Sequence, residues 1–402
     1  MTQNTLRKLM LIAVLLTGSH AFAHDFEAQN SDGVTIYYNI TSSADLTVEV
    51  TYNSANSYHK YKDDIVIPKT VEYNGTSYSV TNIGQLAFDN CASLLTITIP
   101  QSVISIGDYA FRSCYKLSSV VMPNSVKSIG VWAFWNCSGL TSVIIPESVT
   151  SIGDKAFYAC TSLQSIVIPN SVTSIGTETF YKCESLTSLT IGNSVTSIGA
   201  KAFYYCGGLT SVTIPNSVIS IGTNAFFNCY HLSSLLIGTS VTNIGSYAFY
   251  NCGNLTSVTI PNSVTNLDVS AFYLCVNLTE VICENVLPAT AQSSTFGKLP
   301  TTATLYVPVG SKEAYANATG WNCFTNIVEM DTETGVESTL VDDVNVSVEN
   351  GNIVISGADN ANVEVYNVNG QCVYNGIVTT ISVAAKGLYI VKVNDKSFKV
   401  ML

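Results

Sequence analysis

The sequence predicts a mainly β solenoid: a rod of about nine 23-residue coils with a cap at each end, followed by a small β-sandwich. Three observations carry that reading. Phenylalanine recurs every 23 residues without insertion or deletion at Phe88, Phe111, Phe134, Phe157, Phe180, Phe203, Phe226, Phe249 and Phe272. Cysteine keeps the same register from Cys91 to Cys275, leucine from Leu94 to Leu278, and glycine from Gly84 to Gly245. Between these rows the chain alternates, as in "LTSVTIPNSVISIG", where Leu209, Val212 and Ile214 share one side while Ser211 and Thr213 face the other. A fixed period of this length marks a repeat architecture, and the alternation marks a short half-buried strand.

Each coil can be justified residue by residue. Pro215 and Asn216 end the strand, because proline has no N–H to give a ladder and Pro-Asn favours a turn. A second short extended segment follows at Val218 to Ile221, and Gly222 is expected to take a backbone conformation that a Cβ would resist. About eight side chains per coil point inward. One coil alone cannot offset the entropy of ordering its 23 residues, so coils must stack on one another. At about 4.8 Å per coil the rod is roughly 40 Å long.

Composition narrows the function. Only 11% of residues are charged, below half the usual share, so Ser, Thr, Asn and Gly must dress the surface. Arg7 and Lys8 precede the apolar run Leu9 to Leu16, and Ala21-Phe22-Ala23 supplies a cleavage signature, so residues 1–23 read as a secretory signal. No uninterrupted apolar stretch approaches membrane-spanning length. The formal net charge of −11 becomes −13 without Arg7 and Lys8, which disfavours nucleic acid and anionic membrane as partners. After cleavage only His24, His59 and His231 remain, too few for the acid–base or metal chemistry that draws on histidine. No G-x-S-x-G, P-loop, GxGxxG or EF-hand motif occurs. The expectation is therefore no enzyme, no cofactor and no metal site.

The cysteine row lacks the C-x-x-C pairs of zinc sites. Equivalent side chains of a solenoid point the same way and do not face each other, so the row reads as a ladder of buried thiols. Cys283, Cys323 and Cys372 stand outside it, with no pairing logic in their positions. The residue after each phenylalanine forms a second aromatic row: Trp135, Tyr158, Tyr181, Tyr204, Phe227, Tyr250 and Tyr273, preceded by Asp89 and Arg112. Two readings stand. The row stacks between coils and stiffens the rod, or it is a binding strip, since rigid aromatics dominate interface hot spots. These seven are the candidate partner-binding residues. The outward strand rows, Thr96 through Ser211 to Glu280 and Thr98 through Thr213 to Ile282, are monotonous and read as β-propensity with low specificity.

The repeat with "LTSVTIPNSVTSIG" and "AFYNC"-like segments resembles the BspA-type leucine-rich repeats of bacterial surface proteins, over about residues 80 to 283. "DIVIPKTVEYNGTSYSVTNIG" at 64–84 resembles the lead-in to such repeats, and "ATLYVPVGSKEAYANATGWNCFTNIVEM" at 303–330 their closing segment. The resemblance implies a leucine-rich repeat rod on an exported, surface-associated protein that contacts other cells, host proteins or matrix.

The remaining chain divides accordingly: an N-terminal β cap at 24–79 with a hairpin around Asn74-Gly75, the solenoid at 80–283, a C-terminal cap at 284–330 and a linker at 331–340. The cap carries a short helix in "SKEAYANAT" with Ser311 as its N-cap. Residues 341–402 read as six or seven strands, with turns at Asn350-Gly351 and Asn369-Gly370, in a small sandwich. "NIVISG", "VEVYNVNGQCVY" and "GLYIVKV" resemble the C-terminal sorting domain of type IX secretion cargo in Bacteroidetes. The expected function is adhesion through a protein or glycan on host or neighbouring bacterial cells, by a monomer at the cell surface, on the outer membrane, or secreted. The alternatives are a structural spacer or a glycan-binding module of a secreted hydrolytic system.

Overall fold

The computed structural model describes residues 24–52 and 61–330, and in the C-terminal part 345–349, 352–356, 362–367, 372–377, 380–383, 388–393 and 396–401. The expected secretory signal at 1–23, the expected linker at 331–340 and the two expected Asn-Gly turns of the C-terminal part lie outside the described residues.

Within the solenoid each coil opens on a two-residue strand, passes through a tight turn around its phenylalanine and returns as a three- to five-residue strand. Counted this way, coil one is residues 82–104, coil five is 174–196, coil six is 197–219 and coil nine, one residue longer, is 266–289. Coil six shows the reason for each part. Ile198, Ala202, Phe203, Cys206, Leu209, Val212, Ile214 and Val218 are all buried, the eight inward side chains the pattern predicts. Ser211 and Thr213 are exposed on the other side of the strand. Successive coils pair parallel and 23 residues apart, as in Ser197↔Ser220 in the short-strand row and Ser211↔Ser234 in the long-strand row.

The turn is held by a third ladder. Lys201 and Tyr205, two residues before and two after Phe203, both have left-handed φ values of 54° and 58°. Such a conformation costs a residue with a Cβ about 1 kcal/mol, and here it aims both N–H groups at the next coil. Lys201 N–H donates to the Thr223 carbonyl, Phe203 N–H to Ala225 and Tyr205 N–H to Phe227. The strained positions thus belong to non-glycine residues. Gly222, in contrast, has no left-handed φ, which corrects the sequence expectation. A Cβ there would collide with the backbone of Gly199 and Ala200 in the preceding coil. The glycine row exists because backbone lies directly on backbone.

Serines and threonines do more than cover the surface. Ser125, Ser148, Ser217 and Ser263 donate to valine carbonyls of the preceding coil, at 2.6–2.8 Å. Thr141, Thr196, Thr242 and Thr279 likewise donate to a carbonyl 23 residues earlier, at 3.0–3.3 Å. These side chains replace charges as the polar exterior and also stitch the rod.

The ends extend the ladders beyond the strict repeats, so that the solenoid runs to about eleven turns. At the N-terminal end Asp63–Val66 lies parallel to Leu94–Thr98, Thr76–Ile83 leads into the short-strand row, and the Tyr61 ring sits 4.7 Å from that of Phe88. Thr70–Tyr73 and Thr76–Ile83 form the hairpin whose turn is Asn74-Gly75, both left-handed. At the C-terminal end Thr290–Ala291 and Thr304–Pro308 join the two rows, and Phe296 stacks on Phe272 at 5.6 Å, 24 residues on. Trp321 and Tyr315, both fully buried, close the core. The short helix spans Lys312–Asn317. Ser311 stands at its N-cap, but its hydroxyl donates to the Val286 carbonyl and makes no capping bond to the helix.

The C-terminal part forms two small antiparallel sheets of three and four strands. Val346, Ile353, Ile355 and Ile381 of one and Val363, Val365, Tyr389, Val391, Val393 and Val400 of the other form a hydrophobic cluster separate from the solenoid core.

Candidate functional site

The turn ladder fixes where the candidate aromatics go. In every coil the phenylalanine enters the core, and the next residue leaves it between two left-handed positions. All seven candidates, Trp135, Tyr158, Tyr181, Tyr204, Phe227, Tyr250 and Tyr273, lie in one row along the turn side and all are half-buried. From Tyr158 to Tyr273 their rings are stacked at 4.4–5.5 Å with interplanar angles of 3–10°. Trp135 is tilted against Tyr158, at 6.4 Å and 34°. The faces of the inner members are therefore occupied by each other, and what the row offers to a partner is ring edges and phenolic hydroxyls. Burial pushes the phenols of Tyr158, Tyr181 and Tyr204 up, and the Glu178 carboxylate adds to this at Tyr158. They remain neutral hydrogen-bonding groups.

Both ends of the row are defined. Before Trp135 the same positions hold Arg112 and Asp89, joined as a bidentate ion pair at 2.6 and 2.8 Å. After Tyr273 the row ends at Gly297, where a Cβ would strike the Tyr273 ring. Beside it runs a row the sequence reading passed over, two residues before each phenylalanine: Tyr109, Trp132, Lys155, Glu178 and Lys201. Trp132 stacks on Tyr109 at 6.1 Å, meets Trp135 edge-on, and carries Lys155 Nζ 4.4 Å above its ring. Glu178 lies 3.9 Å from Lys155 and 3.4 Å from Lys201. The signal was present in the sequence at a fixed offset, but this row varies in residue type and does not read as a repeat.

On the strand side, Val121, Ile144 and Val167 occupy adjacent coils at 61%, 59% and 56% exposure, in a row otherwise held largely by threonine. The cysteine row is buried and unbridged. Each thiol from Cys114 to Cys275 donates to the carbonyl of the phenylalanine 26 residues earlier, at 2.9–3.5 Å. Burial pushes these thiols up, Cys275 to about 12. Cys283 is also buried, while Cys323 and Cys372 are exposed. Among the described residues no group of three or more His, Cys, Asp or Glu is placed to hold a metal ion, and no helix is long and apolar enough to cross a membrane.

A rod of stacked parallel coils whose side chains are spent on core and stitching, with one continuous aromatic edge, defines a leucine-rich repeat solenoid. The chain belongs to the BspA type leucine rich repeat family, whose six-copy model matches residues 81–209 and again 196–326. Among solved structures it is similar to a leucine-rich repeat protein from Bacteroides ovatus, at 27% identity and a TM-score of 0.57, over 76% of this chain and 88% of that one. It is also similar to a leucine rich cell surface protein from Faecalibacterium prausnitzii, at 26% identity and a TM-score of 0.48, over 76% of this chain and 95% of that one. No curated protein matches.

Proposed function

We propose that this chain is an exported adhesion protein, delivered to the bacterial surface or secreted, whose solenoid engages a protein on host or neighbouring cells along the row Trp135 to Tyr273. The observation that carries the reading is the row itself, seven consecutive half-buried aromatics on a rod whose other outward positions are mostly short polar residues. Stacking holds the rings rigid, so a partner meets a surface whose conformational entropy is already lost, the property that makes aromatics effective anchors. Their mutual stacking favours a protein over a sugar, since a pyranose ring would need an open aromatic face and the inner members have none. The C-terminal strands serve as the export address on this proposal, following their resemblance to type IX sorting domains. The family's repeat fold typically serves binding, with no catalysis.

The test is adhesion by the secreted chain and by a variant carrying Tyr181→Ser, Tyr204→Ser and Phe227→Ser. Loss of binding to host or bacterial cells with circular dichroism unchanged is the expected result. Undiminished adhesion by a folded variant would sink the assignment of this row and move attention to the aliphatic patch at Val121, Ile144 and Val167.

A further inference from the structure

The rod is not evenly joined, and we infer that coil five, residues 174–196, is a built-in joint at which it bends. The short-strand row forms one ladder through Ser151–Ile152 and a separate one from Ser174–Ile175 onward, so the break falls where coil five begins. The long-strand row breaks on the other side of the same coil: Ser165–Val167 pairs with Ser188–Thr190, but Ser211–Thr213 pairs only forward, with Ser234–Leu236. Individual bonds follow the same division. Thr150 N–H donates to Lys127 and Thr196 N–H to Thr173, and in the other row Thr187 N–H donates to Gln164 and Ser233 N–H to Thr210. Among the described residues the equivalent bonds from Thr173 to Thr150 and from Thr210 to Thr187 are missing. Coil five thus holds coil four by its long strand and coil six by its short strand. The turn side stays joined across both boundaries, by Phe157 N–H to Thr179 and Phe180 N–H to Ala202, by Ser185 N–H to Thr161 and Gly208 N–H to Glu184, and by the thiols of Cys183 and Cys206.

The sequence of coil five supplies the causes. Thr179 stands fully buried where all eight other strict coils carry alanine in register, from Ala87 to Ala271. Its added atoms overfill a close-packed site, and the Phe157–Phe180 spacing beside it, 5.4 Å, is the widest in the column from Phe88 to Phe272. Gly176 lies against the Asp154 carboxylate, whereas the other glycines from Gly107 to Gly245 lie on backbone of the preceding coil. Leu189 replaces the valine or isoleucine of coils two to four and is only half-buried. Gly192 replaces proline and lies on the Pro169 carbonyl of coil four so closely that a Cβ could not fit. Coil seven repeats Leu235 and Gly238, and the long-strand row breaks again after it, while its short-strand row stays continuous. The long-strand row also breaks between Leu94–Thr98 and Ser119–Val121, so what sets coil five apart is a break in both rows, one at each of its boundaries. On the turn side Glu178 of coil five reaches Lys155 of coil four and Lys201 of coil six, an ionic clip across both boundaries.

The experiment is amide hydrogen exchange on the full chain, resolved by peptide. Amides at Thr173–Gly176 and Thr210–Ser211 exchange at least about tenfold faster than their ladder equivalents at Thr150–Gly153, Thr196–Gly199 and Thr187–Ser188, because local opening there breaks fewer bonds. A variant carrying Thr179→Ala and Leu189→Val brings those two positions of coil five to the common pattern and slows both sites toward the rate of their equivalents. Glu178→Gln speeds exchange at both boundaries and leaves coils two and three unchanged. Equal rates across all these sites in the unaltered chain would overturn the joint, whether or not the double variant folds. So would a folded double variant whose rates at coil five stay as they were.

Discussion

Phe226 and Phe227 are adjacent in the chain, identical in kind, and each belongs to a column of rings repeated every 23 residues, yet only one is architecture. Phe226 is fully buried in a column that runs from Phe88 to Phe272 at 5.0–5.4 Å, with no ring tilted from the next by more than 12°. Phe227 is half-buried in a column of similar spacing that touches neighbours on its faces and solvent at its edge. The difference shows in what each column tolerates. The inner one admits nothing but phenylalanine in nine coils, because every direction around the ring is filled and any change in volume is felt. The outer one admits Trp, Tyr, Phe, Arg and Asp, because contact is required only along the rod. Periodicity alone therefore does not distinguish core from surface; tolerance within the row does.

The largest expected effect separates the interior from the edge by pH. The inner column is flanked by thiols, and burial pushes Cys114, Cys137, Cys160, Cys183, Cys206, Cys229, Cys252, Cys275 and Cys283 up. Each holds its proton to higher pH when folded than when unfolded, where a thiol ionises near pH 8.5. The unfolded chain therefore loses protons first as pH rises. Stability from this source is complete below about pH 8.5 and falls above it, by about 1.4 kcal/mol per thiol for each pH unit until the folded values are reached. Thermal melts in reducing buffer should be flat from about pH 6 to 8 and shift steeply downward between about pH 9 and 11. A melting temperature that holds to about pH 10.5 would contradict the buried ladder. A thiol reagent applied to the folded chain is expected to label Cys323 and Cys372, the two exposed cysteines, and spare the row.

The next effect compares the two phenylalanines directly. Phe226→Ala removes a ring from a filled interior and is expected to cost about 3–5 kcal/mol. Phe227→Ala loses stacking on two neighbours but leaves no cavity, and is expected to cost about 1 kcal/mol. Denaturant midpoints of the two variants decide between them. Equal losses would mean the outer column is as structural as the inner and would weaken its reading as a binding edge.

Much of this was legible before any coordinates. The nine coils, the eight inward residues of coil six, the buried cysteine row and the Asn74-Gly75 hairpin all follow from residue type at fixed offsets. The outer turns were hidden because their spacing drifts: Phe296 comes 24 residues after Phe272, and Tyr61 fills the ring position beside Phe88 at a different spacing again. The glycine row was read for backbone freedom because sequence shows what a residue permits and not what lies above it. In the structure the strained turn positions are Lys201 and Tyr205, whose side chains gave no sign of it. At the candidate site the row itself was legible, but the closing of its ring faces and the neighbouring Tyr109, Trp132, Lys155 and Glu178 required the stacking distance. Coil five carried its departures openly at Thr179, Leu189 and Gly192. Their effect on the ladders depends on which strand each one lifts, and a one-dimensional pattern does not contain that.

The smallest change sharpens the comparison most, because it adds one oxygen atom. Phe227 lies between Tyr204 and Tyr250, so Phe227→Tyr extends the line of phenols along the edge, where the hydroxyl meets water and its neighbours. Its effect on stability should stay within about 0.5 kcal/mol, as for surface changes that leave packing intact. Phe226→Tyr places the same atom in a column with no exposure, among buried apolar side chains of the core. A hydroxyl left unpaired there is expected to cost about 1–3 kcal/mol. If both tyrosines are tolerated equally, the inner column is looser than its spacing implies. If neither is tolerated, the edge at Phe227 is closed to a partner as well as to water, and the binding row must end at Tyr204.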